Sequence, residues 1–172
     1  MQVFLIAAMT ADGFIGRSDD DRSFNWTSVA DKKFYVETIK SADTIVIGSK
    51  TFATFKRHPR NSRWEIYTRS PQDFINQKPD IIQAQGTSEN PQELLDRLEK
   101  EGVENVAIAG GASIYTMFMQ AGVVDKLYLT MEPVLFGEGV KLFNKTLDKK
   151  LKLMTTKRLS EQTLLLEYDI LR

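Results

Sequence analysis

The stretch Val106-Ala-Ile-Ala-Gly-Gly-Ala-Ser-Ile-Tyr115 gives the clearest indication of the fold. Its first half is a run of apolar residues, which is typical of a strand buried in a parallel sheet. Gly110-Gly111 ends that run, and Ala112 to Gln120 has the pattern of a helix. Glycines between a strand and a helix let the backbone approach a phosphate, and the N–H groups at the helix start attract anions. A plain tight turn is the alternative, because the pair does not complete a G-x-G-x-x-G motif.

A second junction of the same kind lies upstream. Residues 44–48, ending in Gly48, are typical of a buried strand, and Ser49 to Phe55 of a short helix. Two such junctions suit a dinucleotide, which carries several phosphates. Lys50 could pair with a phosphate, and Arg69, which follows a strand ending at Thr68, could meet a 2′-phosphate. The alternative for each is a solvated surface cation, the usual place of a lone lysine or arginine.

Strand-like and helix-like segments alternate along the chain. This pattern predicts one α/β domain over residues 1–172, with a central, mostly parallel, twisted sheet flanked by helices and an antiparallel C-terminal hairpin. Residues 9–27 form a long loop, and such loops in compact domains are usually functional. The predicted strands are 2–8, 44–48, 64–68, 81–84, 105–109, 126–135, 150–158 and 163–171, and the predicted helices are 28–41, 49–55, 91–101 and 112–120.

Composition excludes several classes of function. The chain has equal numbers of basic and acidic residues, no cysteine and one histidine, His58. Nucleic-acid and membrane-surface partners favour a basic excess, so we expect neither. Without cysteine, thiol chemistry and cysteine-bound metals are excluded, and we expect no metal site. No apolar run approaches the ~20 residues of a membrane helix. The N-terminus lacks the pattern of a signal peptide, so we expect a cytoplasmic protein.

Asp31 is the most informative acidic residue, and its spacing allows two interpretations. Ser28-Val-Ala-Asp31 matches a capping box, in which Asp31 would only stabilise the start of a helix. Asp31 could instead face a binding pocket. Trp26 is typical of a core aromatic residue, and Thr130 lies in a strand, where threonine is common. Arg63 could bind a carboxylate with two hydrogen bonds or lie on the surface.

The ordered set of motifs resembles dihydrofolate reductase. The segments LIAAMTADGFIG, WTSVAD, IVIGSKTF, AIAGGASIY and LYLT are similar to that family's first strand and loop, acidic helix start, first cofactor junction, glycine pair and threonine strand. Val29 stands where that family usually has proline. The resemblance implies an NADPH-dependent oxidoreductase that reduces 7,8-dihydrofolate to tetrahydrofolate, in one-carbon metabolism. It also implies a cis peptide between Gly110 and Gly111.

The resemblance also implies roles for individual residues. Asp31, Trp26 and Thr130 would form the catalytic set, with Asp31 bound to the pterin. The substrate would be held by Ile6, Ala7, Asp31, Tyr35, Phe55, Arg63 and Thr130, with Arg63 on the glutamate tail. NADPH would be held by Ala8, Ile15, Gly16, Gly48, Ser49, Lys50, Thr51, Arg69, Ser70, Ala109, Gly110, Gly111, Ala112, Ser113, Ile114 and Tyr115.

Two alternatives remain open at this point. SADTIVIGSKTF and AGVVDKLYLTMEPVLFGEGVKLF also resemble the reductase domain of the bifunctional riboflavin-biosynthesis enzyme, which shares the fold and NADPH. Its substrate is a ribosylaminopyrimidine phosphate, and Lys32 or Arg60 could then bind the phosphate. A non-catalytic nucleotide-binding domain of the same fold is the other alternative. In that case Asp31, Thr130 and Arg63 would have no reason to converge. A monomer and a homodimer both fit the sequence.

Overall fold

An eight-stranded twisted sheet forms the centre of the computed structural model, which describes residues 1–171. The strands are β1 (Gln2–Thr10), β2 (Phe14–Gly16), β3 (Thr44–Gly48), β4 (Arg63–Tyr67), β5 (Gln83–Thr87), β6 (Asn105–Ile108), β7 (Lys126–Glu132), β8 (Val140–Lys141), β9 (Leu151–Arg158) and β10 (Leu164–Ile170). The helices are α1 (Val29–Lys40), α2 (Ser49–Ala53), α3 (Pro91–Lys100) and α4 (Ala112–Ala121).

The strand order of the large sheet is β5-β4-β3-β6-β1-β7-β10-β9. Neighbours from β5 to β7 are parallel, and β10 is antiparallel to both β7 and β9. The predicted fold class, a mostly parallel sheet with an antiparallel C-terminal hairpin, is therefore confirmed. Because β6 lies between β1 and β3, the glycine pair that follows β6 is placed beside the ends of both strands.

Helices cover the two faces of this sheet. Leu94 and Leu98 of α3 and Phe118 of α4 pack on one face, in a cluster with Leu5 and Val106. The other face is covered by α1 and α2, through residues that include Ile39 and Phe52. Burial of strands on both faces explains why their sequences are continuous apolar runs. Among residues 1–171, no helix is both long enough and apolar enough to cross a membrane.

Three local details differ from the sequence expectation. The predicted strand 81–84 lies later in the chain, at Gln83–Thr87, because Ile81 and Ile82 donate to the Lys78 carbonyl in a turn. The predicted strand 126–135 ends at Glu132, because Pro133 cannot donate a ladder hydrogen bond. The short strands β2 and β8 pair antiparallel in a separate small sheet, which was not predicted. This small sheet fixes the loop after β1 against the segment that follows β7. Both segments therefore lie near the carboxyl ends of the parallel strands, where open α/β sheets bind their ligands.

Candidate active site

A cleft of about 1010 Å³ opens at the carboxyl ends of the parallel strands. Most of the residues that the sequence assigned to substrate and cofactor line it. These are Ile6, Ala7, Ala8, Ile15, Gly16, Asp31, Tyr35, Gly48, Ser49, Lys50, Thr51, Phe55, Arg69, Ala109, Gly110, Gly111, Ala112, Ser113, Ile114 and Tyr115. The cleft is large enough for a dinucleotide together with a small substrate, since typical ligand sites measure ~300–1,000 Å³.

The glycine pair forms the floor of one half of the cleft. The peptide bond between Gly110 and Gly111 is cis, as predicted, and Gly110 has a φ of +119°, which favours glycine. A Cβ atom at Gly111 would lie 3.0 Å from the Thr51 hydroxyl oxygen, so a side chain there would fill the space between the two junctions. The backbone thus leaves a cradle that a ligand can approach closely.

The start of α4 faces this cradle. Gly111 is the residue before the helix, and no side chain of the described residues caps it. The first amide groups of a helix have no acceptor within the helix, so those of Ala112 and Ser113 are available to an anion. The cradle and these donors together fit the pyrophosphate of a dinucleotide.

Two cations lie toward the outer end of the cleft. Lys50, in α2, and Arg69, two residues after β4, both line the cleft and are exposed, and neither has an ion-pair partner in the part of the chain that the structure describes. Glu89 also lines this end, but Arg97 binds its carboxylate through Nη2 at 2.8 Å. Ser70 is exposed and does not line the cleft, so the predicted set of cofactor-binding residues extends one residue beyond the cleft lining, which ends at Arg69 in this segment.

Asp31 lies deep in the other half of the cleft. Ser28 caps α1 by accepting the Asp31 backbone N–H at 3.1 Å, so one half of the predicted capping box is present. The reciprocal half is absent among residues 1–171: the Ser28 backbone N–H donates to Glu132 Oε1 at 2.9 Å instead. The Asp31 side chain is therefore not needed at the helix end. It faces the cleft, although the residue is only 4% exposed.

Burial raises the pKa of the Asp31 carboxyl above its ordinary value. The nearby hydroxyl groups of Thr27 and Thr130 act against this shift, although Thr27 Oγ1 makes no hydrogen bond within residues 1–171. The negative charge of Glu132 adds to the shift, and the positive charge of Lys32 opposes it. Thr130 is itself buried and does not line the cleft, so it reaches the site only through Asp31. A carboxyl of this kind can hold a proton beside a ligand at a pH where an exposed aspartate is ionised.

Tyr35 lies one turn after Asp31 on α1 and also lines the cleft. Its hydroxyl is buried and has no hydrogen-bond partner within residues 1–171. Burial, followed by the charge of Asp31, raises its pKa, so the hydroxyl stays protonated. The Tyr115 hydroxyl, by contrast, donates to the Ile6 carbonyl at 2.7 Å. A buried donor without a partner is costly, so the Tyr35 hydroxyl is available to a bound molecule.

Two predicted site residues do not reach the cleft. Trp26 packs edge-to-face on Phe136, at a centroid distance of 5.2 Å, and is absent from the cleft lining. Its Nε1 is buried without an acceptor in the described chain, but it does not line the space where a pterin would lie. The assignment of Trp26 to the site therefore needs correction.

Arg63 lies at the amino end of the parallel strands, opposite the end at which the cleft opens. It begins β4, and the amino ends of parallel strands face away from the edge that binds ligands. The length of this strand separates it from the cleft by roughly 13 Å. Its Nη2 binds Glu101 Oε2 at 2.6 Å and the fully buried Glu65 Oε1 at 3.1 Å. The expectation that Arg63 grips a carboxylate tail is wrong, because both the strand direction and these ion pairs hold it elsewhere.

We therefore expect Arg63→Ala to change stability and not catalysis. Glu65 keeps Arg97 at 3.0 Å and Gln85 at 2.9 Å, so the substitution should cost only about 1–2 kcal/mol in the free energy of unfolding. Urea denaturation and substrate titration check this, with Lys33→Ala as a control, since Lys33 forms an exposed pair with Glu37. A raised KM for the substrate would return Arg63 to the site.

Sequence reasoning missed several cleft residues, most of which fall into two groups; the others are Thr54, Tyr67, Thr68, Met117, Val140 and Asn144. One group comes from the loop after β2, and its length and acidic run were the available signal: Ser18, Asp19, Asp21, Arg22, Ser23 and Phe24. The other comes from the start of α3, where the Asn90–Glu93 capping box marks a helix that begins at the cleft: Ser88, Glu89, Asn90 and Pro91. The second group reaches the cleft only because β4 and β5 are neighbours, which the sequence alone does not reveal.

Known proteins resemble this chain in sequence or in fold over most of its length. YwjB of Bacillus subtilis (strain 168) is 26% identical over 166 residues, with 91% of each chain covered. A deaminase/5-amino-6-(5-phosphoribosylamino)uracil reductase from Thermotoga maritima has a TM-score of 0.78 at 16% identity, over 98% of this chain and 56% of that one. Dihydrofolate reductase from Enterococcus faecalis, complexed with NADP(H), has a TM-score of 0.67 at 23% identity, over 98% and 94%.

The family model that matches is described as the RibD C-terminal domain, and residues 1–165 match it. Dihydrofolate reductase thus shares the fold, whereas the second resemblance seen in the sequence, to the riboflavin-biosynthesis reductase, is the one that gives the family. The chain belongs to the RibD C-terminal domain family, whose members include reductases of this fold.

Proposed function

We propose that this protein is an NADPH-dependent reductase of the riboflavin-biosynthesis type, with a ribosylaminopyrimidine phosphate as its substrate. The observation that carries the proposal is the position of Asp31, a buried carboxyl with a raised pKa, in the same cleft as a phosphate cradle. The family match and the reductase activity in the name of the Thermotoga maritima protein support this substrate class.

The chemistry that the site must serve is reduction of a carbon–nitrogen double bond. A ribosylamine opens to an imine when a proton moves from nitrogen to the ring oxygen. The imine carbon then takes up a hydride and the nitrogen a proton. NADPH would supply the hydride when bound. The protein must therefore bind the two molecules side by side, exclude water and deliver one proton.

Asp31 would deliver that proton. The Thr130 hydroxyl hydrogen-bonds its carboxyl, and its raised pKa allows it to remain protonated closer to neutral pH than an exposed aspartate. The Tyr35 hydroxyl would hydrogen-bond a polar group of the substrate, since it has no protein partner among residues 1–171. Gly111 and the start of α4 would hold the pyrophosphate of the cofactor.

Dihydrofolate, the first expectation from the sequence, needs the same reduction of a C=N bond. Its glutamate tail also needs a cation, and the arginine expected to supply one, Arg63, lies at the far edge of the sheet. That observation moves the proposal toward the pyrimidine. A ribosylaminopyrimidine carries a phosphate in place of that tail, so the position of Arg63 is no obstacle to it. Lys32 and Arg60, which the sequence offered for that phosphate, do not line the cleft, whereas Arg22 does and would be its partner.

The deciding experiment follows NADPH oxidation with each substrate. We expect 5-amino-6-(5-phosphoribosylamino)uracil to be consumed with a product that is heavier by two hydrogens, and dihydrofolate to react much more slowly. A reaction mixture without protein serves as the control for enzyme-independent oxidation. Faster turnover of dihydrofolate would restore the first expectation. Turnover of neither substrate above that control would overturn the proposal.

A further inference from the structure

Glu132 is a buried acid at the end of β7 that the proposed reaction does not use. It is only 3% exposed, and no lysine or arginine in the described part of the chain forms an ion pair with it. Its carboxylate accepts hydrogen bonds from the Ser28 backbone N–H at 2.9 Å, the Ser28 hydroxyl at 2.8 Å and the Thr163 hydroxyl at 3.1 Å. An unpaired buried charge is costly, so its retention needs a reason.

The first reason lies in what Glu132 replaces. In a complete capping box, the acid three residues after the cap accepts the backbone N–H of the capping residue. Here that acid would be Asp31, yet the Ser28 N–H donates to Glu132, which lies in strand β7. Ser28 still accepts the Asp31 N–H at 3.1 Å. Glu132 therefore completes the cap from outside the helix and leaves the Asp31 side chain free to face the cleft.

The second reason is the charge of Glu132. Thr130 and Glu132 are two residues apart in β7, so their side chains point to the same face of the strand. Thr130 presents a hydroxyl to Asp31, and Glu132 presents a carboxylate two residues further along. Like charges in a buried site disfavour each other's ionised form, and the charge of Glu132 adds to the effect of burial on the pKa of Asp31.

We infer that Glu132 is a positioning residue for Asp31: its carboxylate holds the start of α1 through Ser28 and adds negative charge to the surroundings of the Asp31 carboxyl. The Thr163 hydroxyl, just before β10, lies 3.1 Å from Glu132 Oε2 and 3.0 Å from the Ser28 hydroxyl oxygen, so three separate segments meet at this acid. The inference rests on the proposed function only where turnover is the readout.

Two substitutions separate the two roles. Glu132→Gln keeps an oxygen for the Ser28 N–H but removes the charge. Glu132→Leu removes both and leaves the Ser28 N–H without its acceptor. Glu65→Gln is the matched control, because Glu65 is equally buried but lies in ion pairs with Arg63 and Arg97, away from the cleft.

The charge role predicts a shift in the titration of Asp31. The carboxyl of Asp31 can be followed by NMR in protein with ¹³C-labelled aspartate, with Asp31→Asn to assign its signal, and this needs no turnover. In Glu132→Gln we expect its pKa to fall by about one unit. The limb on which the rate declines with rising pH should then move to lower pH by the same amount. The other charged or ionisable groups around Asp31 stay in place in both proteins, namely Lys32, Tyr35, Tyr115, Asp21 and Arg22.

The positioning role predicts a difference between the two variants. Glu132→Leu should lower turnover roughly 10- to 100-fold, the usual cost of a displaced catalytic group, and Glu132→Gln should retain most of it near its own optimum. An unchanged Asp31 titration in Glu132→Gln, or an equal shift in Glu65→Gln, would overturn the charge role. Wild-type turnover in Glu132→Leu would overturn the positioning role.

If Glu132→Leu does not fold, Ser28→Ala tests positioning in its place, with the same loss expected. If the wild-type protein reduces neither substrate, the proposed function fails while the NMR titration still decides this inference.

Discussion

Asp31→Asn should lower the rate of hydride transfer at neutral pH by roughly 10²–10⁴-fold, the usual contribution of a positioned acid. This corresponds to about 2.7–5.4 kcal/mol in the activation barrier. Asparagine keeps the size of the side chain, and its amide oxygen can still accept a hydrogen bond from Thr130. It cannot deliver a proton. Part of the rate should return at low pH, where solvent can protonate the imine nitrogen directly.

The fold should survive this substitution, and the direction of the stability change is informative. The pKa of Asp31 is raised in the folded protein, so its contribution to stability is fully present below the pKa of the unfolded chain, ~4. That contribution is lost as the pH rises through the folded-state pKa. Asparagine has no such dependence. Asp31→Asn should therefore match or exceed the wild type in melting temperature at pH 7–8, and fall behind only toward pH 4.

Single-turnover rates from pH 5 to 9, with thermal melts at each pH, measure both effects. A folded Asp31→Asn protein with the wild-type rate would remove Asp31 from the site. A variant that loses rate and stability together at pH 8 would indicate a structural acid at the helix start. The present geometry argues against that outcome, because Glu132 rather than the Asp31 side chain accepts the Ser28 N–H.

Much of the fold could be predicted from local pattern. Residues 44–48 were predicted as a strand and form β3, and the predicted helix 91–101 appears as Pro91–Lys100. In these elements the spacing of apolar residues indicates the same structure as the residues at the element ends, such as caps and turn residues. Both signals are local, so the sequence is sufficient to predict them. The glycine pair could be predicted equally well, because few other residues fit where a strand and a helix are joined close to a phosphate-binding position.

The site was harder to predict, because its residues depend on tertiary position. Asp31 fits a capping box and a cleft acid equally well at the level of spacing, and the hydrogen bond from Ser28 to Glu132 decides between them. Glu132 itself is a lone acid at the end of a strand, a pattern typical of surface residues. Arg63 stands one strand length from the cleft, and it directly precedes the predicted strand 64–68. The strand direction therefore already indicated the amino end, against the role that the family resemblance implied.

A strong preference for NADPH over NADH should depend on Arg69. Arg69 lines the outer end of the cleft and has no ion-pair partner among residues 1–171, and Lys50 lines the cleft as well. The carboxylate of Glu89, which would repel a phosphate, is already bound by Arg97. A charge-assisted hydrogen bond to a 2′-phosphate is worth about 1.5–3 kcal/mol. Arg69→Ala should therefore reduce kcat/KM for NADPH by roughly 10- to 100-fold and leave the value for NADH almost unchanged.

Binding measurements test the same idea without turnover. Adenosine 2′,5′-bisphosphate carries the 2′-phosphate but no nicotinamide, so its affinity by calorimetry reports on this end of the cleft alone. We expect Arg69→Ala and Lys50→Ala each to weaken it, with a smaller effect at high salt because exposed charges are screened. Arg57→Ala is the control, since Arg57 is also exposed but does not line the cleft. Equal use of NADPH and NADH by the wild type, or an Arg69→Ala variant that binds the bisphosphate normally, would mean that these cations are solvated surface groups.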